Sequence, residues 1–191
     1  MFNLKLHSLC YMEWLHSDYL DDLNRLKIEL VRGGRELLDL SMINPDLPPP
    51  RILLDKLTEA CVKPFNHRYA VSRGIRKLRE AFSLKYSKSF AIELDPESQV
   101  CVTMGTKDAL PNTLTTLKQM GFVNRALVAT PTYPPHLAAL RIAEYEFDFF
   151  CLDSDEQQMQ HQILSALDRG RYSVLLLNFP NNPTGIYVNQ T

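Results

Sequence analysis

Three short stretches of this chain carry residue types that can do chemistry, and each stands where an apolar run breaks: VTMGTKDAL (102–110), VATPTYPPH (128–136) and LNFPNNPTG (177–185). In the first, Gly105 lets backbone approach a ligand closely, and a helix beginning near Thr106 offers unpaired N–H groups and a partial positive charge. Phosphate is the anion such a turn suits, with the Thr106 hydroxyl and Lys107 ammonium as added donors. A Gly-Thr pair at a strand-to-helix junction is also ordinary turn chemistry. In the second, Pro131, Pro134 and Pro135 stiffen the strand exit around Tyr133, whose fixed face can stack on a flat ring; a core tyrosine in a Pro-rich turn is the plainer reading. In the third, Pro183 pushes Asn182 into extended backbone and aims its carboxamide above the sheet, where it can hydrogen-bond a ring oxygen. An Asn-Pro turn without a ligand is the alternative there.

The elements around these stretches must bring the three tips together. Leu20, Leu23, Leu26 and Leu30 recur at helical spacing from about Asp18 to Arg32, and Gly33-Gly34 ends that run. ELLDL (36–40) reads as a short strand, the four prolines of SMINPDLPPPR exclude regular structure, and helices are expected over 51–63 and from Ile75 to about Phe90, with HRYAVSRG a loop between them. Beyond Asp95-Pro96 strand and helix alternate: QVCVT, then a helix from the first tip; RALVAT, then a helix from the second; EYEFDFFCL, then a helix over 155–169; and finally YSVLLLNF. This order predicts an α/β fold, a mostly parallel sheet with crossover helices and an N-terminal helical arm. The unalternating apolar run VLLL fits a strand covered on both faces. Ligands of such sheets sit outside the carboxyl ends of the strands, where the three tips lie.

Composition narrows the partners. Lys plus Arg total 21 against 22 Asp plus Glu, a formal charge of −1, so there is no basic excess for nucleic acid. No stretch approaches a membrane span, and the N-terminus is interrupted by Lys5, His7 and Glu13, unlike a signal peptide. Cys10, Cys61, Cys101 and Cys151 are scattered singly and read as buried reduced thiols, consistent with a cytoplasmic protein. The five histidines show no ligand spacing, so no metal site is expected. Asp153, Asp155 and Glu156 read as a solvated loop and helix N-terminus.

Taken in order, these segments resemble the class I/II aminotransferases, fold-type I pyridoxal-phosphate enzymes, over residues 17–191. NNPTG after an apolar strand resembles the family's signature, NPDLPPP its N-terminal loop, and HRYAVSRGIRKLREAFSLKY its tyrosine-glycine-LR segment. VTMGTKDAL resembles its phosphate turn and PTYPPH its ring-stacking turn; the nearest look is the alanine-type and LL-diaminopimelate-type branch. The resemblance implies pyridoxal 5′-phosphate as cofactor, amino-acid and 2-oxo-acid substrates in a ping-pong transfer, and a homodimer. It implies that Gly105, Thr106 and Lys107 hold the phosphate, that Tyr133 stacks on the pyridine ring, and that Asn182 donates to the ring oxygen. Tyr69 would reach the phosphate of the partner subunit. It divides the chain into an arm and loop (1–50) and the first part of a cofactor-binding large domain (51–191), and it predicts cis bonds at Thr130–Pro131 and Asn182–Pro183.

Two departures stand out. Ile43 occupies a position where the family carries a glycine that helps bind the substrate carboxylate. The Schiff-base lysine, the pyridine aspartate and the carboxylate-binding arginine of the family lie downstream of its NPTG, whereas here the last lysine is Lys118 and the last arginine Arg171. No catalytic residue is therefore assigned, and the chain alone is expected to be inactive: the N-terminal portion of an aminotransferase. The alternative is a truncated or frameshifted remnant that at most binds a partner or a phosphate.

Overall fold

The computed structural model describes residues 19–41, 45–153 and 155–188. They form two compact units that divide between Tyr69 and Ala70.

In the first unit, α1 (Tyr19–Arg32) is followed by a turn at Gly33-Gly34. Lys27 on α1 donates to the Asp39 carboxylate at 2.9 Å, tying the segment after the turn back to the helix. ELLDL is no strand: these residues have no regular structure, with no neighbouring strand among the described residues to supply a ladder. After the prolines, α2 (Arg51–Cys61) begins with Pro50 as its N-cap and buries none of its residues.

The second unit holds the sheet. It opens with α3 (Arg76–Phe90), whose Arg79 is buried and reaches the Glu97 carboxylate at 3.4 Å. QVCVT, expected as a strand, has no regular structure; its Val102 N–H donates to Arg73 O at 3.1 Å. Then follow α4 (Thr106–Gln119), β1 (Arg125–Thr130), α5 (Pro134–Ile142), β2 (Glu146–Cys151), α6 (Glu156–Arg169) and β3 (Val174–Leu176). The three strands are parallel, in the order β2-β1-β3, with Ala126 opposite both Phe147 and Val174.

Central β1 explains the layering. Ala126 and Val128 face a cluster with Leu114 of α4, Ala139 and Leu140 of α5, and Leu176; Leu127 and Ala129 face Phe150 with Met159 and Ala166 of α6. Successive β1 side chains thus enter opposite layers, and all four are buried, as a strand covered on both faces requires. The last strand corrects the expectation for VLLL. Leu176 is buried, but Leu175 and Leu177 remain 39% and 49% exposed, and among the described residues β3 pairs on one side only. It also stops after three residues. Beyond it lie Pro180 and Pro183, which lack the N–H a ladder needs.

Burial of the thiols is a second correction. Cys61, Cys101 and Cys151 are free but exposed. They sit on a helix with no buried face, in the segment without a ladder, and at the end of edge strand β2. Among the described residues no helix is long and apolar enough to cross a membrane.

Tyr145 is 4% exposed and packs in the cluster of Leu140, yet its hydroxyl has no hydrogen-bond partner among the described residues. Phenylalanine keeps the packing and removes an unsatisfied polar group. Tyr145→Phe is therefore expected to leave the thermal midpoint unchanged or raise it, by up to about 1–3 kcal/mol of stability. A lower midpoint in a calorimetric scan would mean the hydroxyl has a partner.

Candidate functional site

Because β1 and β3 are parallel neighbours, their carboxyl ends emerge side by side, and the N-terminus of α4 completes a cavity of about 620 Å³ there. Each wall comes from one of the three tips. From the first come Thr106 and Lys107, behind N-cap Gly105. The Asp108 and Ala109 N–H groups both turn back to Gly105 O, at 3.2 and 3.1 Å, whereas the Thr106 and Lys107 N–H groups have no acceptor within the helix. Asp108 accepts the Met104 N–H at 3.0 Å and an Asn112 amide N–H at 2.9 Å, so its carboxylate is spent on closing the turn.

The second tip supplies Tyr133, Pro135 and His136. Pro131 follows a cis bond, and Tyr133 is the N-cap of α5, with Pro134 and Pro135 in its first turn. The His136 ring stands edge-on to the Tyr133 ring, 5.5 Å between centroids and 85° between planes, and its Nδ1 lies 3.0 Å from Thr132 Oγ1. Burial pushes the imidazole pKa below its ordinary value, so the ring is neutral at pH 7. The Lys107 ammonium sits 5.9 Å from the Tyr133 ring centroid.

The third tip supplies Asn178, Pro180 and Asn182. The Asn182–Pro183 bond is cis, and so is Phe179–Pro180, which the sequence had not signalled. Asn182 is exposed into the cavity, while its neighbour Asn181 is only 3% exposed. The Asn181 amide donates to Pro131 O at 3.3 Å and its Oδ1 accepts from the Thr184 N–H and hydroxyl at 3.2 and 2.8 Å.

Four of the residues singled out from sequence, Thr106, Lys107, Tyr133 and Asn182, thus line one cavity, with Gly105 at its edge. Tyr69 is fully exposed at the end of the first unit, and Ile43 lies outside the described residues. Asn181, Asn178 and His136 were not singled out for this site; the Asn-Asn doublet was the one available signal for Asn181, but it does not say which amide turns inward. Among the described residues, none lining the cavity apart from Lys107 carries a formal charge at pH 7 once His136 is neutral, and none is a carboxylate. An anionic ligand with a flat ring suits such a cavity. No cluster of metal-ligating side chains occurs among the described residues.

The family model for aminotransferase class I and II matches residues 35–191. The glutamate-pyruvate aminotransferase AlaC of Escherichia coli K12 is 32% identical over 168 residues, 83% of this chain and 38% of that protein. An LL-diaminopimelate aminotransferase of Dehalococcoides mccartyi is 31% identical over 158 residues, 80% of this chain and 39% of that one. Among solved structures, a double mutant of the Thermus thermophilus aspartate aminotransferase superposes with a TM-score of 0.73 at 25% identity, covering 87% of this chain and 43% of the other. The chain thus spans about two-fifths of the length of the curated relatives it matches.

Proposed function

The chain belongs to the class I and II aminotransferase family, and from that premise we propose that its cavity holds pyridoxal 5′-phosphate in a protein that moves an amino group from an amino acid to a 2-oxo acid. The observation that carries this reading is the convergence of Thr106, Lys107, Tyr133 and Asn182, from three separate strand ends, on one carboxylate-free cavity. The donor set fits the group. The free first-turn N–H groups of α4, with the Lys107 ammonium, match a phosphate dianion; the Tyr133 face matches a pyridine ring; the Asn182 amide can donate to a ring oxygen.

When bound, the cofactor supplies an electron-poor ring and an aldehyde that carries the amino group. The chain's own residues bind and orient it. Among the described residues Lys107 is the one lysine lining the cavity, and we assign it to the phosphate, so no amine that carries the cofactor is assigned to this chain, and by itself it is expected to bind without turnover. Tyr69, exposed in the first unit, is assigned to the partner's phosphate in a homodimer.

4′-Deoxypyridoxine 5′-phosphate lacks the aldehyde and so probes the non-covalent site alone. Titration is expected to saturate, with Lys107→Met and Asn182→Ala each weakening binding about tenfold or more, the scale of a lost hydrogen bond to a charged or ring oxygen. Absence of saturation at millimolar probe, or variants indistinguishable from the parent, would sink the proposal.

A further inference from the structure

The cavity needs two turns, fifty residues apart in sequence, to keep a fixed spacing: one carries Tyr133 and the other Asn182. Neither turn reaches the other through the sheet, because β1 ends at Thr130 and β3 at Leu176, before either residue. We propose that Asn181 is the positioning residue that joins them, so that the face of Tyr133 and the amide of Asn182 act as one binding unit; this rests on the cofactor reading above.

The geometry supports that role in detail. Asn181 Nδ2 donates to Pro131 O, two residues before Tyr133, at 3.3 Å. Its Oδ1 accepts both Thr184 donors, two residues beyond Asn182. Its backbone closes the base of the same loop, with Asn181 N–H donating to Ile186 O and Gly185 N–H to Asn181 O, both at 2.7 Å. A carboxamide is the one small side chain that can donate across the gap and accept twice from its own loop at once. Aspartate keeps the acceptor and loses the donor; alanine loses both. At 3% exposure, water cannot take over the missing bond. The phosphate turn lies outside this network, since none of these bonds reaches residues 103–108.

That last point separates a positioning role from a merely structural one. Asn181→Ala, which adds no charge beside the anion, is expected to weaken 4′-deoxypyridoxine 5′-phosphate about tenfold while leaving the affinity for inorganic phosphate unchanged. Equal weakening of both ligands, or of neither, would overturn the proposal. Hydrogen exchange provides a test without the cofactor. The His136 N–H, which donates to Tyr133 O at 2.9 Å, is expected to exchange at least about fivefold faster in Asn181→Asp, with the Gly185 N–H little changed. Thr184→Val should do the reverse, and it serves if Asn181→Ala does not fold. A His136 amide unmoved by Asn181→Asp, or exchange rising equally along β1, would show that Asn181 does not join the turns. Should the parent chain bind no 4′-deoxypyridoxine 5′-phosphate, the cofactor reading fails, and the exchange result still decides whether Asn181 couples the two turns.

Discussion

Gly74→Ala is expected to destabilise the chain by about 2–5 kcal/mol, from a left-handed backbone penalty of about 1–2 and an overpacking cost of about 1–3. Gly74 has φ +82, and a Cβ built on it would lie 2.4 Å from Val102 Cβ and 2.6 Å from its Cγ2. Neither side can give way freely, because Val102 N–H is bonded to Arg73 O at 3.1 Å and locks the two backbones together. Gly105 provides the comparison: φ is +83, yet nothing lies within 4 Å of an added Cβ. Gly105→Ala should therefore cost only a backbone part, about 1–3 kcal/mol, because φ +83 with ψ 177 is a conformation nearly reserved for glycine. Urea melts test both variants. The sharper check is Gly74→Ala in a Val102→Gly background, where the steric part should vanish and the cost fall to about 1–2 kcal/mol. If Gly74→Ala costs the same in that background as in the parent chain, the close approach is wrong. The contact bears on the candidate site as well, because Val102 leads directly through Thr103 and Met104 into the turn at Gly105.

Local signals carried much of this fold. RALVAT is the strand Arg125–Thr130, and helices follow the first two tips at Thr106 and Pro134, because apolar periodicity, Gly and Pro are properties of neighbouring residues. What failed was non-local. ELLDL and QVCVT have strand composition, but a strand exists only where another strand lies alongside, and none does among the described residues. The site divides in the same way. Residue types at the three tips announce an anion and a flat ring, whereas nothing in NNPTG says that Asn181 faces Pro131, or in HRYAVSRG that Gly74 meets Val102. Those contacts depend on tertiary packing.

Packing also decides whether α4 can present its N-terminus at all. The sequence TKDALPNTLTTLKQ is a poor helix by propensity: four threonines, an asparagine, and Pro111 in its interior, where it offers no N–H to Lys107 O. Tertiary contacts must hold such a helix, and its one buried residue is Leu114, 1% exposed in the cluster with Val128 and Leu140. Leu114→Ala is therefore expected to cost about 2–5 kcal/mol, the range for a buried leucine that leaves a cavity. Thr115→Ala, next along on the exposed side, should stay within about 0.5 kcal/mol. Leu114→Met, close in volume, should cost less than about 1.5. The consequence extends to the cavity, since α4 supplies Thr106, Lys107, Ala109, Leu110 and Thr113 to its lining and Leu110 also packs on the Leu114 cluster. Loosening α4 should weaken inorganic phosphate and 4′-deoxypyridoxine 5′-phosphate together, measured where the variant is still folded. That shared loss is the opposite of the ligand-selective loss expected at Asn181. If Leu114→Ala spared phosphate binding while lowering stability, the α4 N-terminus would not be the anion site.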